Sequence, residues 1–227
     1  MSAGDVLVPR RDVLPAAQQS LWQQMGRAAS LGLVLYGGTA IAVRLGHRPS
    51  VDFDFFTSDD LDRDVLLAAF PFLREGTVLQ ERPNTLTVLS SAVGEAASHV
   101  QVSFFGGIGF GRVGRPDLTD DGHLLVASLD DLMATKLKVL LQRVESKDYR
   151  DVDAMIRAGV SLARGLASAR ALFGPSFQPS ECLKALTWFQ GGDLEVLAPQ
   201  TRAALVAAAG AVRDLPEVSI VSRRLCP

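Results

Sequence analysis

Hydrophobic residues recur along this chain with two periods, and the change from one to the other marks its parts. Residues 14–31 carry Leu14, Leu21, Trp22, Met25, Ala28 and Ala29 near helical spacing, which predicts one amphipathic helix stopped by Gly32. A short apolar run, 33–36, ends at Gly37-Gly38, residues 39–45 return to a helical pattern, and 51–55 alternate; strand, glycine turn, helix, loop and strand follow in order. Ser58-Asp59-Asp60 offers an N-cap for a helix over 60–70 that Pro71 ends. Residues 77–80 and 85–89 predict a hairpin around Arg82-Pro83-Asn84, 90–98 a loop of small and polar residues, and 100–105 another alternating strand. One more short strand starts at Leu124. Ser128-Leu129-Asp130-Asp131 then has the Ser-x-x-acid pattern of a helix start, and helices follow from there, over 147–157, 161–172, 179–189 and 199–213. The expected fold class is α+β: a mixed-sheet α/β domain over 1–127, then a helical region over 128–227 that closes over one face and leaves a cleft as the candidate site.

Candidate chemistry sits on the alternating strand. Val51, Phe53 and Phe55 point to one face, Asp52 and Asp54 to the other. Two adjacent carboxylates repel unless a cation lies between them, and hard divalent ions take carboxylate and phosphate oxygens together; the pair is therefore a candidate Mg²⁺ site, with Mn²⁺ as the alternative ion. Upstream, Gly37 and Gly38 stand where a strand hands over to a helix N-terminus, whose backbone N–H groups and dipole suit a phosphate. A Gly-Gly turn is common and an Asp-x-Asp pair is often a solvated strand face, but a strand buried by phenylalanines needs a reason for two aspartates. The combination suggests phosphoryl or nucleotidyl transfer.

Further along, Lys136 and Arg143 fall inside the apolar arc of Leu132, Met133, Leu137, Leu140 and Leu141. Snorkelling explains one such cation; two, seven positions apart, favour a shared anionic partner. Asp148 lies in the inward arc of the next helix, with Asp151 at its edge. It suits a base or acceptor-orienting group, and it also suits a first-turn carboxylate paired with Arg143 or Lys136. The stretch GGIGFGRVGRPD, with Arg112 and Arg115, suits a mobile cationic loop over an anionic substrate, or an ordinary glycine-rich connection with solvated arginines. Trp188 and Phe189 read as core, and Arg223-Arg224 as a solvated tail.

Composition narrows the classes. The chain has 227 residues, 48% hydrophobic, enough for a sizeable core. A net charge of −2 and a pI near 5.9 exclude a global basic field, so any RNA contact needs a local patch. Cys182 and Cys226 fit neither a disulfide framework nor a metal motif and read as reduced thiols. The polar N-terminus is no secretory signal and the alanine-rich run 203–212 is too short to span a bilayer, so a cytoplasmic protein with no membrane partner is expected.

Gly38-Thr39 followed by Asp52-Phe53-Asp54, with His47-Arg48 and Ser50 in the intervening loop, resembles the nucleotidyltransferase core of the AbiEii/AbiGii toxin family, within the polymerase-beta-like nucleotidyltransferases. Thr39 keeps a hydroxyl in the serine place of that motif. The run DLMATKLKVLLQRVESKDYRDVDAM resembles the later motifs of the family, which fall on Lys136, Arg143, Asp148 and Asp151. Together the two halves of the resemblance cover residues 33–57 and 128–156. The resemblance implies a Mg²⁺-dependent nucleotidyltransferase with Asp52, Asp54, Lys136 and Asp148 as catalytic residues, Asp52 and Asp54 holding the metal. Gly37, Gly38, Thr39, Arg48, Ser50 and Arg143 would bind nucleotide. It implies a nucleoside triphosphate donor, a tRNA-like RNA acceptor and an antitoxin partner. Many such enzymes carry a third carboxylate on a neighbouring strand, and here Ser103, flanked by Gln101, stands nearest to its position. A small-molecule nucleotidylyltransferase and a non-catalytic nucleotide- or partner-binding module are the alternatives.

Overall fold

Short apolar runs cut by glycine, proline and aspartate give short strands, and these pair into one sheet. In the computed structural model, which describes residues 6–91 and 98–227, the strands are β1 (Val6–Leu7), β2 (Val34–Tyr36), β3 (Asp52–Phe56), β4 (Thr77–Arg82), β5 (Thr85–Leu89), β6 (Gln101–Phe105), β7 (Asp117–Thr119) and β8 (Leu125–Val126). Among the described residues they form an eight-stranded mixed sheet in the order β1-β7-β8-β2-β3-β6-β5-β4. β1/β7, β2/β8 and β3/β6 are parallel and the other pairs antiparallel. The helices are α1 (Ala16–Trp22), α2 (Gly37–Leu45), α3 (Arg63–Ala69), α4 (Phe72–Glu75), α5 (Leu129–Val139), α6 (Ser146–Arg157), α7 (Leu162–Phe173), α8 (Pro179–Thr187) and α9 (Pro199–Ala211). The α+β class holds. The chain divides into two compact units: Met1–Gly111 with Arg115–Ser128 and Ser222–Pro227, which holds the sheet, and Arg112–Gly114 with Leu129–Val221, which holds α5 to α9.

In the first unit, alternation along β3 sorts the aromatics from the carboxylates. Phe53 and Phe55 face inward with Leu35, Val102, Phe104, Leu86 and Val88, all at most 5% exposed. Phe55 stacks on Phe104 at 5.5 Å, Phe70 covers Phe104 at 5.6 Å, and Trp22 meets Phe53 at 6.3 Å. Each fully buried ring contributes roughly 1.5–3 kcal/mol, so this face holds much of the unit's stability. Val51 lies outside the strand and is exposed.

The structure departs from the sequence pattern at several places. Residues 14–31 are not one helix: α1 ends at Trp22 and gives way to 3₁₀ turns at Gln23–Met25 and Ala29–Leu31. The buried Trp22, Met25 and Ala28 are spaced three apart, which is the 3₁₀ repeat and not the α repeat. The cap of α3 is Asp62, whose carboxylate accepts from the N–H groups of Asp64 and Val65. Most of the loop expected over 90–98 lies outside the described residues. The glycine-rich stretch after β6 is tied down by its backbone: Gly106 N–H donates to Asn84 O, Gly107 N–H to Asp59 O and Ile108 N–H to Thr57 O. Arg223 and Arg224 are exposed as expected, and the Arg224 guanidinium also makes a solvent-exposed pair with Asp59 at 2.6 Å.

In the second unit α5 packs against α6 and α7, and α9 against α6 and α8. Leu132, Met133, Leu137, Tyr149, Val152 and Met155 are buried as the helical period requires, whereas Leu141 lies past the end of α5 and is exposed. Trp188 is 69% exposed, so it is no core residue; helix α8 ends at Thr187, before it can turn inward. Among the described residues no helix is long and apolar enough to cross a membrane, and both cysteines are free, with burial pushing the Cys182 thiol up to about 12.

Candidate active site

The sheet face opposite the phenylalanine core carries the acidic pair. Register sets one row across it: Tyr36 on β2, Asp54 on β3, Ser103 on β6 and Thr87 on β5. Asp52 lies one pleat before Asp54 and beside Gln101. Both aspartates are half-buried. The place beside Asp54 therefore belongs to Ser103, which is buried and lies 3.3 Å from the Thr87 hydroxyl.

β2 delivers the chain to the N-terminus of α2 at Gly37 and Gly38. Gly37 has φ 72°, and a Cβ there would fall 2.5 Å from Asp54 Oδ2. A Cβ on Gly38 would fall 2.7 Å from Arg48 Nη2 and 3.2 Å from Ser50 Oγ. The two glycines thus bring a carboxylate and a guanidinium close over consecutive backbone units of a helix N-terminus, where N–H groups and dipole favour an anion. The Thr39 hydroxyl is buried; it is hydrogen-bonded to Ser50 Oγ at 2.9 Å and to the Asp52 carbonyl. It fastens the start of β3 to α2. Gln18, on the apolar stripe of α1 and 1% exposed, joins the same clamp by donating to Asp52 O at 3.1 Å and to Thr39 Oγ1 at 3.4 Å. Sequence reasoning passed over Gln18, although an amide in register with Leu14, Leu21 and Met25 was a signal. At the other end of α2, Arg44 donates to Ala127 O, Val126 O and Asp117, which fixes the helix to β7 and β8.

A second cluster lies in the helical unit. Lys136 Nζ is 2.6 Å from Asp148 Oδ1 and 2.8 Å from Asp151 Oδ2, and all three side chains are nearly or wholly buried. Arg143, half-exposed, places Nε 2.9 Å from Asp148 Oδ2 and Nη2 3.1 Å from Oδ1. The shared anionic partner of Lys136 and Arg143 is thus Asp148. Burial pushes the Asp148 carboxyl up, but the hydrogen bonds from Arg143 and the charge of Lys136 outweigh it and hold the group below the usual carboxylate range. The structure brings Gly37, Gly38, Thr39, Arg48, Ser50, Asp52 and Asp54 together in the first unit, and Lys136, Arg143, Asp148 and Asp151 in the second.

Among the described residues no group of three or more His, Cys, Asp or Glu converges as a metal cage. Mg²⁺ in nucleotide sites is held by one or two carboxylates with phosphate oxygens and water completing the octahedron. The donors on β3, with Asp54 seated where residue 37 has no Cβ, fit that mode.

Comparison with solved structures defines the fold. The fold is shared with a candidate nucleotidyltransferase of H. pylori (TM-score 0.58, 15% identity, 84% of this chain and 90% of that one). It is also shared with an antigenic nucleotidyltransferase-like protein of Paracoccidioides brasiliensis (0.55, 16%, 91% and 96%) and with MenT4, a nucleotidyltransferase toxin of Mycobacterium tuberculosis (0.51, 13%, 84% and 82%). The chain has a nucleotidyltransferase-like fold. It belongs to the family described as nucleotidyl transferase AbiEii toxin, type IV toxin–antitoxin system, whose model matches residues 25–198. An uncharacterised protein of Aquifex aeolicus is 28% identical over 141 residues, 60% of this chain, and the match spans 65% of that relative's length.

Proposed function

We propose that this chain transfers a nucleoside monophosphate from a nucleoside triphosphate to an RNA acceptor, with Mg²⁺ as cofactor, as the toxin of a toxin–antitoxin pair. The observation that carries the reading is the Asp52/Asp54 pair with Asp54 held over Gly37 at the N-terminus of α2. Asp52 and Asp54 would hold the ion, which supplies charge neutralisation at the phosphates. Gly37 and Gly38 bind phosphate oxygens through backbone N–H groups, and Arg48, lying over Gly38, neutralises their charge. Thr39, Ser50 and Gln18 orient β3 from behind. Asp148 acts as a positioning residue and not as the base: a carboxylate committed to Lys136 and Arg143, with its proton affinity lowered, is a poor proton acceptor. Incubating the protein with each labelled nucleoside triphosphate, Mg²⁺ and total RNA should label RNA, and EDTA should abolish the signal. Label on a small acceptor without RNA would favour the small-molecule reading.

Ser103 favours a second reading. With a serine beside Asp54 where related enzymes carry a third carboxylate, the chain would bind nucleotide without turning it over. Metal-dependent nucleotide binding with no product under any acceptor would establish that reading over the first.

A further inference from the structure

The face that carries the aspartates also carries a group of aromatic rings which the phosphate and metal chemistry does not use. Phe56 follows Asp54 by one pleat, about 7 Å along the strand and on the same side of the sheet. Its ring stacks on Tyr36 at 4.8 Å with 14° between the planes. Phe110, from the glycine-rich stretch, stands edge-on to both, 6.4 Å from Tyr36 at 80° and 6.5 Å from Phe56 at 66°. Phe105, paired with Phe56 across β3 and β6, meets it at 5.2 Å and 80°. The rings form a corner of nearly perpendicular planes. Phenylalanines on the core face, Phe53, Phe55 and Phe104, are fully buried, but Phe56, Phe105 and Phe110 are each only half-buried. Some ring surface therefore remains accessible on the face that carries the two carboxylates.

We infer that Phe56, Phe105 and Phe110 form the stacking wall for the base of the donor nucleoside triphosphate. The inference rests on the nucleotidyl-transfer reading and adds the base subsite to it. With phosphates at Gly37 and Gly38, the base lies one ribose away, and one pleat along β3 is a matching step. A planar base gains from lying on one ring with its edge against another, and stacking of this kind tolerates all four bases.

Calorimetric titration of the full chain with each Mg²⁺-nucleoside triphosphate, and in parallel with Mg²⁺-tripolyphosphate, separates base from phosphate recognition. Phe110→Leu keeps an apolar side chain but removes the ring; it should weaken nucleoside triphosphate binding roughly tenfold and leave tripolyphosphate binding unchanged. Phe110→Tyr should stay within about twofold of the parent. If Phe110→Leu fails to fold, Phe105→Leu carries the same comparison. Nucleotide affinity that is unchanged, or that falls in step with tripolyphosphate, overturns the wall while leaving nucleotidyl transfer standing, as does unchanged nucleotide affinity with weakened RNA binding. Absence of nucleotide binding by the parent protein overturns both.

Discussion

At Gly37 the backbone is left-handed and a side chain would collide with the carboxylate of Asp54, so substitution meets two penalties at once. Gly37→Ala should cost about 1–2 kcal/mol from the backbone alone and displace Asp54 as well. The expected outcome is a lower thermal midpoint with nucleotide incorporation near background. Gly38→Ala meets only the tip of the Arg48 guanidinium and the Ser50 hydroxyl and should remain folded. Asp52→Ala and Asp54→Ala should each abolish Mg²⁺-dependent incorporation without loss of stability, because like-charge repulsion on β3 is relieved as the ligand is lost. Wild-type activity in either variant would overturn the metal assignment. Lys136→Ala leaves Asp148 and Asp151 buried without their common cation and should destabilise by on the order of 3–5 kcal/mol. Lys138, on the same helix, makes an exposed contact with Ser176 beyond the end of α7; it is the control and should change little. Urea midpoints of the two variants decide this.

At the scale of elements, hydrogen bonds from outside an element hold it in place. The β4–β5 hairpin turns at Asn84, whose φ is 59°; its Oδ1 accepts from Leu61 N–H at 2.8 Å and its Nδ2 donates to Asp60 at 2.8 Å. Asn84→Gly keeps the conformation and loses those bonds, about 1–2 kcal/mol, whereas Asn84→Ala adds roughly another 1 kcal/mol of left-handed strain. A reversed order in chemical denaturation would show that the side chain is incidental. The junction of α5 and α6 is held by Asp148, and its pH dependence follows from the sign of the shift. Its folded pKa is depressed, so the stabilisation is fully present above the unfolded value of about 3.9 and is lost as pH falls through the folded value. Asp148→Asn should therefore lower stability at pH 7 and flatten the acid limb of the midpoint-against-pH curve below about pH 4. An unchanged limb would show that Asp148 carries no linkage.

For the whole molecule, ligand linkage tests the reading without assuming an acceptor. A nucleoside triphosphate with Mg²⁺ at 100 times its Kd should raise stability by about 2.7 kcal/mol, visible as a rise in thermal midpoint. EDTA should remove most of that rise, and the doubly substituted Asp52→Ala, Asp54→Ala protein should show none. A shift that survives in the double variant would place the nucleotide elsewhere.

Periodicity, together with glycine, proline and capping signals, determined the α+β class, β3 with its two faces, the glycine turn into α2, and the helices from α5 onward, because these are local properties of the backbone. The Asp52/Asp54 pair and the glycines were legible for the same reason. The continuous helix over 14–31 was misread because 3₁₀ and α spacing differ by less than one residue per turn, and Trp188 because the end of α8 depends on what it packs against. Only the tertiary structure decided that Ser103 is the neighbour of Asp54, that Gln18 clamps β3, and that Tyr36, Phe56, Phe105 and Phe110 meet. The same holds for the partner of Lys136: an inward cation required an anion, but whether it was a substrate or Asp148 depended on the turn between α5 and α6, where Arg143, half-exposed and past the end of α5, reaches the same carboxylate. Strand register and side-chain partners across elements are set by long-range pairing, and one sequence pattern is compatible with many such pairings until the core chooses among them.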